Sequence, residues 1–542
     1  MLGVERLKSA SCMWLMYMSD VAFESLTPAE WFRRNKEIAG FSSPSRAMYQ
    51  TVRELVENAL DATENHGILP TVKVAIRYVD EDKDIYSIYV EDNGLGIPEE
   101  EIPNVFGQIF YSSKYRIKQH RGIFGLGAKM VVLYAQSTTG MPVKVTSSMR
   151  GSQYVYTYEI SIDTVRNRPV IHSHTRVENK YGWHGTAVKV TLEGNWQYAK
   201  SRVEEYLVRT AMITPYADII LIEPSGEVLR FNRTTTLLPK PPVEGLPHPS
   251  SIDLETLRHL ISRNSDIPLV DFLKENFDGV GDETVKEFLK TVGIRVSKHV
   301  KRLSEAELRM LAEKMRQFTG WRRPRADWLS PIGEKILASG ILNVLKPEAV
   351  FVTTRKPASY SGHPFIVEAA IAWGGSLMPM DRPLLYRYAN KVPLLQDEGS
   401  DVIRHVIDEV DWSQYKVKFP APIAVVVHVC STKVPYASAG KEAIADVPEV
   451  EKEVRLAVRE AARKLKVYLA RKEKEQELLT KYAILRLYTE EVSAALSFVS
   501  NVDNGLIKMK LEDLVKRKLG LDIRAGPPAI ASTADTTQPQ MT

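Results

Sequence analysis

Cysteine is almost absent from this sequence, which has two, Cys12 and Cys430, among 542 residues. Two cysteines build neither a disulfide framework nor a paired-cysteine metal site, so we expect a protein of the reducing cytoplasm. Long apolar runs are absent too, which argues against a membrane-spanning helix and against a membrane as partner. The mildly apolar start, residues 13–16, is too short for a signal peptide and has no cleavage site after it. We expect the natural start at Met18, with the first 17 residues an upstream misreading or a loose extension.

A strong net charge of either sign is also missing. Lysine and arginine number 72 against 67 acidic residues, a formal net charge of +5, which is compatible with a nucleic-acid partner but does not require one. Hydrophobic residues make up 44% and charged residues 26% of the chain, as in ordinary soluble globular proteins. The length is enough for roughly three or four domains, each with its own core.

The rest of the chain is organised around a predicted amphipathic helix at residues 45–66, which Gly67 closes. One face is apolar or small and consists of Val52, Leu55, Val56, Ala59 and Thr63. The opposite face is polar and consists of Glu54, Glu57, Asn58 and Asp61. Glu54 and Asn58 lie one turn apart, so a carboxylate able to deprotonate water stands beside an amide oxygen able to ligate a hard cation. Taken alone, such a stripe is more often a solvated helix face.

A glycine-rich turn follows two predicted strands, at residues 72–79 and 85–91. The second strand runs into Asp92, after which Gly94 and Gly96 allow the backbone to approach a ligand closely. A simple turn is the alternative, because Asp-Asn-Gly is common in turns.

A long polar and aromatic segment, residues 104–121, has no clear period and contains Ser113 and Lys114. We predict a flexible loop that acts as a lid. The glycine loop after it consists of Gly122, Ile123, Phe124, Gly125, Leu126, Gly127, Ala128 and Lys129. This loop leads into a predicted helix at residues 130–136, whose N-terminus offers unpaired N–H groups and a positive dipole end to phosphate. The glycine spacing matches neither a Walker loop nor a Rossmann fingerprint.

Further strands are predicted at residues 143–148, 154–162 and 186–191. The pair Gly185 and Thr186 opens the last of these. A hydroxyl at the start of a strand is usually structural, but in this position it can reach the polar edge of a ligand.

The motifs described so far form four boxes: Glu54 with Asn58, Asp92 with the two glycines after it, the glycine loop at 122–129, and Gly185 with Thr186. In this order and spacing, the four boxes resemble those of the GHKL ATPases, which include type II topoisomerase ATPase subunits, MutL and the ninety-kilodalton heat-shock chaperones. The resemblance implies an α/β sandwich that binds ATP with Mg²⁺. It implies that Glu54 activates the attacking water and that Asn58 binds magnesium. It also implies that Asp92 accepts a hydrogen bond from the adenine amino group, with support from Thr186. The other implied ATP-binding residues, the first two in the lid, are Ser113, Lys114, Gly94, Gly96, Gly122, Ile123, Phe124, Gly125, Leu126, Gly127, Ala128 and Lys129.

Beyond the four boxes, residues 237–249 are proline-rich and are interpreted as a linker. Helices are predicted at residues 252–262, 270–276 and 282–292, the last two joined by a glycine turn. Residues 296–325 are strongly basic. Such a basic flank can grip a DNA backbone, and a solvated insert is the equally weighted alternative.

Strands of a second α/β region are predicted at residues 349–354, 365–373 and 423–430. Residues 387–395 between them have no simple periodic interpretation. A loop of small residues, 438–445, carries Lys441 towards a helix start, where a surface lysine is the usual outcome. Helical periodicity then extends from residue 448 to about 499, and a short amphipathic helix is predicted at residues 505–519.

Across residues 26–500 the sequence resembles the topoisomerase VI B subunits, a type IIB family. The segments that carry this resemblance are 29–63, the glycine-turned helices of the insert, 367–375, 387–395 and 434–457. The family implies that Lys441 is a switch lysine that reaches the γ-phosphate from the transducer region, where its charge stabilises phosphoryl transfer. Residues 411–415 resemble the family's Trp-Lys-x-Tyr DNA-contact motif, and Ser413 replaces the lysine, so we expect a weakened contact there.

The resemblance also implies the partners. Two A and two B subunits form the enzyme, B subunits dimerise on binding ATP, and the A subunit cleaves the double-stranded DNA through which a second duplex passes. The alternative is a stand-alone GHKL ATPase such as a MutL-like repair clamp or a chaperone, classes that lack the glycine-turned helical insert. A histidine kinase is disfavoured because no phosphoacceptor-histidine hairpin precedes the ATP boxes, and a DNA clamp without turnover is a third interpretation.

The predicted fold class is therefore α/β (α+β) and multidomain. The predicted divisions are an N-terminal extension at 1–25, a GHKL ATPase domain at 26–236, a linker with a helix–two-turns–helix domain at 237–325, a transducer domain with its long helix at 326–500, a C-terminal helix for contact with the A subunit at 501–525, and a disordered tail at 526–542.

Overall fold

The computed structural model describes residues 25–112, 119, 121, 125–264, 266–438 and 440–520. Its helices are α1 Pro28–Arg34, α2 Pro44–Glu64, α3 Ile102–Gly107, α4 Gly127–Thr139, α5 Trp196–Ile213, α6 Leu254–Arg263, α7 Leu269–Asn276, α8 Asp282–Val292, α9 Glu305–Gln317, α10 Glu334–Leu345, α11 Val402–Asp408, α12 Pro448–Ser500 and α13 Asn504–Leu519. The predicted extension up to residue 24 and the predicted tail lie outside the described residues.

The strands fall into two groups along the chain. The first group is β1 Thr71–Asp80, β2 Ile85–Asp92, β3 Val143–Ser148, β4 Tyr154–Asp163, β5 Arg168–Glu178, β6 Gly185–Glu193, β7 Asp218–Ile222 and β8 Val228–Phe231. The second group is β9 Ala349–Thr354, β10 Ala358–Tyr360, β11 His363–Trp373, β12 Leu384–Ala389, β13 Val392–Leu394 and β14 Ile423–Ser431.

The first group forms an eight-stranded sheet in the order β5-β4-β3-β6-β2-β1-β7-β8. Neighbouring strands are antiparallel, except that β1 runs parallel to β7. Helices α2, α4 and α5 pack with this sheet in one hydrophobic core, to which they contribute Leu60, Val131 and Leu207 respectively. This layer of helices on a sheet is the α/β sandwich that the fold prediction requires.

Local sequence explains where α2 begins and which face it buries. The side chain of Ser43 accepts a hydrogen bond from the backbone N–H of Arg46, and Pro44 occupies the first turn, where its missing N–H costs nothing. The predicted apolar face lies in the core, with Val52 and Val56 fully buried. The predicted helix and its orientation are therefore confirmed.

Helices α6 to α9 enclose a separate core. Its fully buried members include Leu257, Phe272, Phe288 and Leu311. Helix α8 has the predicted bounds, whereas α9 lies inside the basic segment and is absent from the prediction. Ser304 and Glu307 form a capping box at the start of α9, a local signal that identifies a helix N-terminus.

The second group of strands forms a six-stranded sheet in the order β10-β11-β14-β12-β13, with β9 also paired to β11. Strands β9, β11 and β14 confirm the three predicted strands of the second α/β region. Strands β12 and β13 occupy the segment that had no periodic interpretation, and β12 runs parallel to β14. Near this sheet, Met212 of α5 and Tyr216, which follows that helix, share a core with Leu337 and Ile341 of α10.

Several segments differ from the prediction, and others, such as α5, β7, β8, α10 and α11, are absent from it. Residues 104–107 belong to α3, so the predicted loop at 104–121 begins later than expected. Strand β5, which the prediction lacks, lies at the edge of the first sheet, and most of its residues are exposed. An exposed edge strand has little hydrophobic alternation, which is the signal that the other strands provide.

The described residues divide into two compact units, one of residues up to 411 with 418–462 and one of residues 412–417 with 463–520. The predicted long helix is confirmed as α12, which passes from the first unit into the second. Within the second unit, Lys508 of α13 forms an ion pair of 2.6 Å with Glu490 of α12. No helix among the described residues has an apolar stretch long enough to cross a membrane.

Candidate functional site

The carboxylate of Glu54 lies against the first residue of α4. Its Oε1 accepts a hydrogen bond of 2.8 Å from the amide of Gln50, one turn earlier on α2. A Cβ atom built on Gly127 would lie 1.5 Å from Glu54 Oε2, so only glycine leaves room for the carboxylate there. The Glu54 side chain is half-buried, and so is that of Asn58 one turn further along. A carboxylate therefore stands beside a glycine-rich helix N-terminus, the positive end of the helix dipole, and an amide lies one turn further along α2.

Asp92, at the end of β2, is buried and holds the turn that follows it. Its Oδ1 accepts hydrogen bonds from the backbone N–H groups of Gly94, at 2.8 Å, and Thr186, at 3.2 Å. Burial raises the pKa of Asp92 to about 7, although the two N–H donors act in the opposite direction. Among the described residues no donor reaches Oδ2, so this oxygen remains available as an acceptor for a ligand.

Ser147 of β3 belongs to the same cluster, and the sequence analysis missed it. Its Oγ accepts a hydrogen bond of 2.9 Å from the N–H of Ile97 and donates one of 2.9 Å to the carbonyl oxygen of Gly185. The hydroxyl of Thr186 lies 3.0 Å from the same Oγ. The serine is one of several polar residues in its strand, so no sequence signal distinguishes it.

The turn after Asp92 packs directly against the end of β3. Gly96 has a φ of +81°, and a Cβ there would lie 2.1 Å from the carbonyl oxygen of Ser148. A side chain is excluded by both the backbone conformation and the space. The Asp92 turn, β3 and β6 therefore form one rigid wall of the candidate site.

The structure describes part of the predicted lid and glycine loop. Ser113, Lys114, Gly122, Ile123 and Phe124 lie outside the described residues. The described members are Gly125, Leu126, Gly127, Ala128 and Lys129.

Lys129 has its ammonium group turned towards the protein. Its Nζ donates hydrogen bonds of 2.8 Å to the carbonyl oxygens of both Tyr111 and Gly125. The residue is 3% exposed. The ammonium thus joins the segment that precedes Ser113 to the segment that follows Phe124.

A buried ionic cluster, which the sequence analysis also missed, connects α2 to the second sheet. Arg121 contacts Asp61 at 3.0 Å and Glu64 at 2.6 Å. On its other side, Glu64 lies 3.4 Å from the ammonium of Lys391, which follows β12. Burial lowers the pKa of Lys391, and the charge of Glu64 opposes that shift. The far end of α2 is therefore not the solvated face that its polar stripe suggests by itself.

The cluster also includes the segment before α10. The side-chain amide of Gln119 donates to the carbonyl oxygen of Ser330 at 3.1 Å and accepts from its N–H at 2.7 Å. Lys391 donates to the hydroxyl of the same serine at 2.8 Å. Gln119 and Arg121, both from the predicted lid segment, are thus held by Ser330 and Glu64, the two residues that Lys391 also contacts.

The loop that carries Lys441 approaches α2 from the second sheet. An isolated bridge between Tyr436 and Ile444 closes this loop, and Lys441 has a φ of +56°. The next residue, Glu442, forms an ion pair of 2.7 Å with Arg53 of α2. Burial raises the pKa of Glu57 on α2, and the charges of Arg53 and Lys441 act against that shift. Residues nearly 390 positions apart in the chain are therefore brought together at the polar face of α2.

Metal ligation by protein groups alone has little support in this region. No group of three or more His, Cys, Asp or Glu side chains is arranged for a metal ion in the part of the chain that the structure describes. A cation beside Asn58 would take most of its ligands from phosphate and water, as Mg²⁺ commonly does.

Family comparisons agree with this geometry. Residues 44–164 match the family described as histidine kinase-, DNA gyrase B-, and HSP90-like ATPase. Residues 324–481 match the family described as topoisomerase VI B subunit, transducer. The first match contains α2, the Asp92 turn and α4, and the second contains both Lys391 and Lys441. A stand-alone repair clamp or chaperone is not favoured, because the second match identifies a topoisomerase transducer.

Two relatives are similar to this chain over nearly its whole length. The B subunit of type 2 DNA topoisomerase 6 from Pyrobaculum aerophilum is 56% identical over 96% of this chain and 98% of its own. That of Saccharolobus solfataricus is 46% identical over 91% of this chain and 94% of its own. A crystal structure of the ATPase domain of Thermus thermophilus gyrase B covers 82% of this chain and 92% of that one, at 13% identity and a TM-score of 0.40. The chain belongs to the family of type 2 DNA topoisomerase 6 B subunits, which are ATP-hydrolysing subunits of type II topoisomerases.

Proposed function

We propose that this B subunit is an ATP-operated gate for DNA. Two B subunits close around a duplex when they bind ATP, and hydrolysis reopens them after the duplex has passed through a break that the A subunit makes. Relaxation of supercoils and decatenation follow from this passage. The observation that carries the proposal is the position of the Glu54 carboxylate at the first residue of α4, beside the ion pair that brings the Lys441 loop to α2.

Glu54 acts as the general base that takes a proton from the attacking water. Its carboxylate lies at the start of α4, and Gln50 fixes one of the two carboxylate oxygens. Asn58 supplies one amide oxygen to Mg²⁺, which when bound neutralises charge on the phosphates. Lys441 contributes a positive charge at the γ-phosphate from the second sheet.

The nucleotide base binds at the wall formed by the Asp92 turn. Asp92 accepts a hydrogen bond from the adenine amino group through Oδ2, since its Oδ1 is already engaged by two backbone N–H groups. Thr186 and Ser147 hold the carboxyl in position. Gly94 and Gly96 let the backbone of this turn pack closely against Ala62 and Ser148, which fixes the wall beside the base.

The triphosphate lies along the glycine loop, where backbone N–H groups at the start of α4 bind it. The residues of this loop are Gly122, Ile123, Phe124, Gly125, Leu126, Gly127, Ala128 and Lys129. Ser113 and Lys114 cover the nucleotide from the lid. The side chain of Lys129 contributes indirectly, because it holds the loop through carbonyl oxygens at Tyr111 and Gly125.

The assembly consists of two A and two B subunits, in the cytoplasm, acting on double-stranded DNA. The division of labour within this chain is an ATPase domain at 26–236, a linker and helix–two-turns–helix domain at 237–325, a transducer at 326–500 and an A-subunit contact at 501–525. A weakened DNA contact lies at residues 411–415. Co-purification with a candidate A subunit, followed by supercoil relaxation with and without ATP, tests the assembly, and relaxation by this chain alone would contradict it.

The catalytic part is tested by Glu54→Gln, which removes the base while nearly preserving the shape of the side chain. We expect ATP hydrolysis to fall by about 100-fold or more, with ATP binding retained, because general-base catalysis contributes on that order. The matched control is Glu81→Gln, which changes an exposed glutamate in the turn between β1 and β2. Hydrolysis at the wild-type rate by the Glu54 variant would remove this residue from its proposed role.

A further inference from the structure

Arg53 and Glu442 are the immediate chain neighbours of Glu54 and Lys441, and they contact each other. Arg53 Nη1 lies 2.7 Å from Glu442 Oε1, and the two side chains are 7% and 11% exposed. Consecutive residues on a helix point about 100° apart, so Arg53 leaves α2 in a different direction from Glu54. The pair therefore connects the two elements that carry the proposed base and the proposed lysine, without entering the site between them.

On the side of α2, Arg53 is held in one orientation. Its Nε donates a hydrogen bond of 2.9 Å to Glu57 Oε1, one turn further along the helix. Glu57 is itself buried. A planar guanidinium that contacts two carboxylates through Nε and Nη1 has little freedom to rotate, unlike a lysine ammonium.

On the other side, Glu442 is equally fixed. Its Oε2 accepts hydrogen bonds of 3.3 Å from the N–H groups of Leu395 and Gln396, which follow β13. Its carbonyl oxygen accepts a hydrogen bond of 3.3 Å from Arg387. Arg387 is fully buried, and it forms an ion pair of 2.7 Å with Asp401, which also binds the N–H of Ile444. The part of the loop that follows Lys441 is thus fastened to the second sheet.

We propose that Arg53 and Glu442 are positioning residues that set Lys441 against Glu54, so that their ion pair makes the lysine productive for hydrolysis. This inference rests on the proposed roles of Glu54 and Lys441. The contacts of the pair that carry this role are with protein groups, at Glu57 and at the backbone after β13. Its effect is on geometry, because a displacement of about 1 Å at a reacting centre costs on the order of 100-fold in rate.

The test uses the full-length chain assembled with its A subunit and the variant Glu442→Gln. We expect kcat for ATP hydrolysis to fall by about 10-fold to 100-fold while KM for ATP stays within about threefold, because positioning acts on the reaction more than on binding. The matched control is Glu398→Gln, which removes a different ion pair of the same region, to Arg404 at 3.2 Å. The control is expected to keep the wild-type kcat.

Two further measurements separate positioning from simple support of the fold. In a Lys441→Ala background, Glu442→Gln should cause no additional loss of kcat, since it acts through the lysine; a further loss of the same size would overturn the inference. Arg53→Lys combined with Glu442→Gln should lose no more than Glu442→Gln alone, and additive losses would contradict a shared contact. If Glu442→Gln unfolds, Glu442→Asp keeps the charge but shortens the reach, and it should give the same split between kcat and KM.

Failure of the inference and failure of the proposed function give different results. If the wild-type assembly hydrolyses no ATP, the proposed function is wrong. If the wild type is active, Lys441→Ala is impaired and Glu442→Gln turns over ATP at the wild-type rate, then only the positioning role is wrong.

Discussion

Substitution of Gly127 by alanine should displace the Glu54 carboxylate while it changes little else in the site. The added Cβ would lie 1.5 Å from Glu54 Oε2, whereas real Cβ contacts are essentially never shorter than 3.0 Å. The carboxylate must therefore retreat by at least about 1.5 Å from the start of α4. A displacement of about 1 Å at a reacting group costs on the order of 100-fold, so we expect kcat for ATP hydrolysis to fall about 100-fold or more.

The same substitution should leave the fold intact. The atom that must move is the end of a flexible side chain, and an off-rotamer position costs about 0.5–1.5 kcal/mol. Alanine in place of glycine in a helix returns up to about 1 kcal/mol, because it loses less conformational freedom on folding. The free energy of unfolding should therefore change by about 1 kcal/mol or less. The backbone N–H of residue 127 is kept, so ATP affinity should stay within about threefold.

The assay is steady-state ATP hydrolysis, with nucleotide affinity and urea denaturation measured on the same preparations. Gly281→Ala is the matched control, since it also places a methyl group at a helix start, before α8, with no atom within 4 Å. The control should keep the wild-type kcat. A folded Gly127→Ala protein with the wild-type kcat would refute the argument that the carboxylate acts from the start of α4.

Further predictions concern buried charges. Burial raises the Asp92 pKa from 3.8 to about 7, so between these pH values the native state keeps a proton that the unfolded chain releases. The free energy of unfolding should therefore fall by up to about 4 kcal/mol as pH rises from about 4 to 7. Urea denaturation at each pH measures this, and Asp92→Asn should remove the dependence. Lys391→Met leaves Glu64 without one of its two buried partners, so the free energy of unfolding measured in urea should fall by about 3 kcal/mol. The control Lys433→Met changes an exposed lysine and should lower it by about 0.5 kcal/mol or less. Equal losses would contradict a buried contact. Lys441→Ala should bind ATP but hydrolyse it slowly, and unimpaired turnover would remove the lysine from the site.

Local signals account for the parts of the fold that the sequence predicts well. Helix α8 has its predicted bounds because Gly281 and Gly293 flank an amphipathic repeat. The Asp92 turn follows directly from an acid and two glycines at the end of an alternating strand. In these cases, the residues that determine the structure are neighbours in the chain.

Other parts depend on partners that are distant in sequence. Strand β12 contains the buried Arg387, whose carboxylate partner is Asp401 in another element. A charged residue at a buried position interrupts the hydrophobic alternation from which a strand is predicted. Lys391 pairs with Glu64 across more than 300 residues. The polar stripe on α2 could equally well face solvent until the cations that cover it are located. For the same reason, the family resemblance implies that Glu54 and Lys441 belong to one site, but it does not imply the contact between Arg53 and Glu442.

Helix α2 meets the second sheet region through two charge contacts, one at Arg53 and one at Glu64. At a rise of 1.5 Å per residue, these attachment points are about 16 Å apart along the helix. Two anchors at that separation allow a rigid body to turn only about the line that joins them, which runs along the helix itself. Any other swing must break at least one of these two buried charge contacts, so complete separation of α2 from the second sheet requires the loss of both.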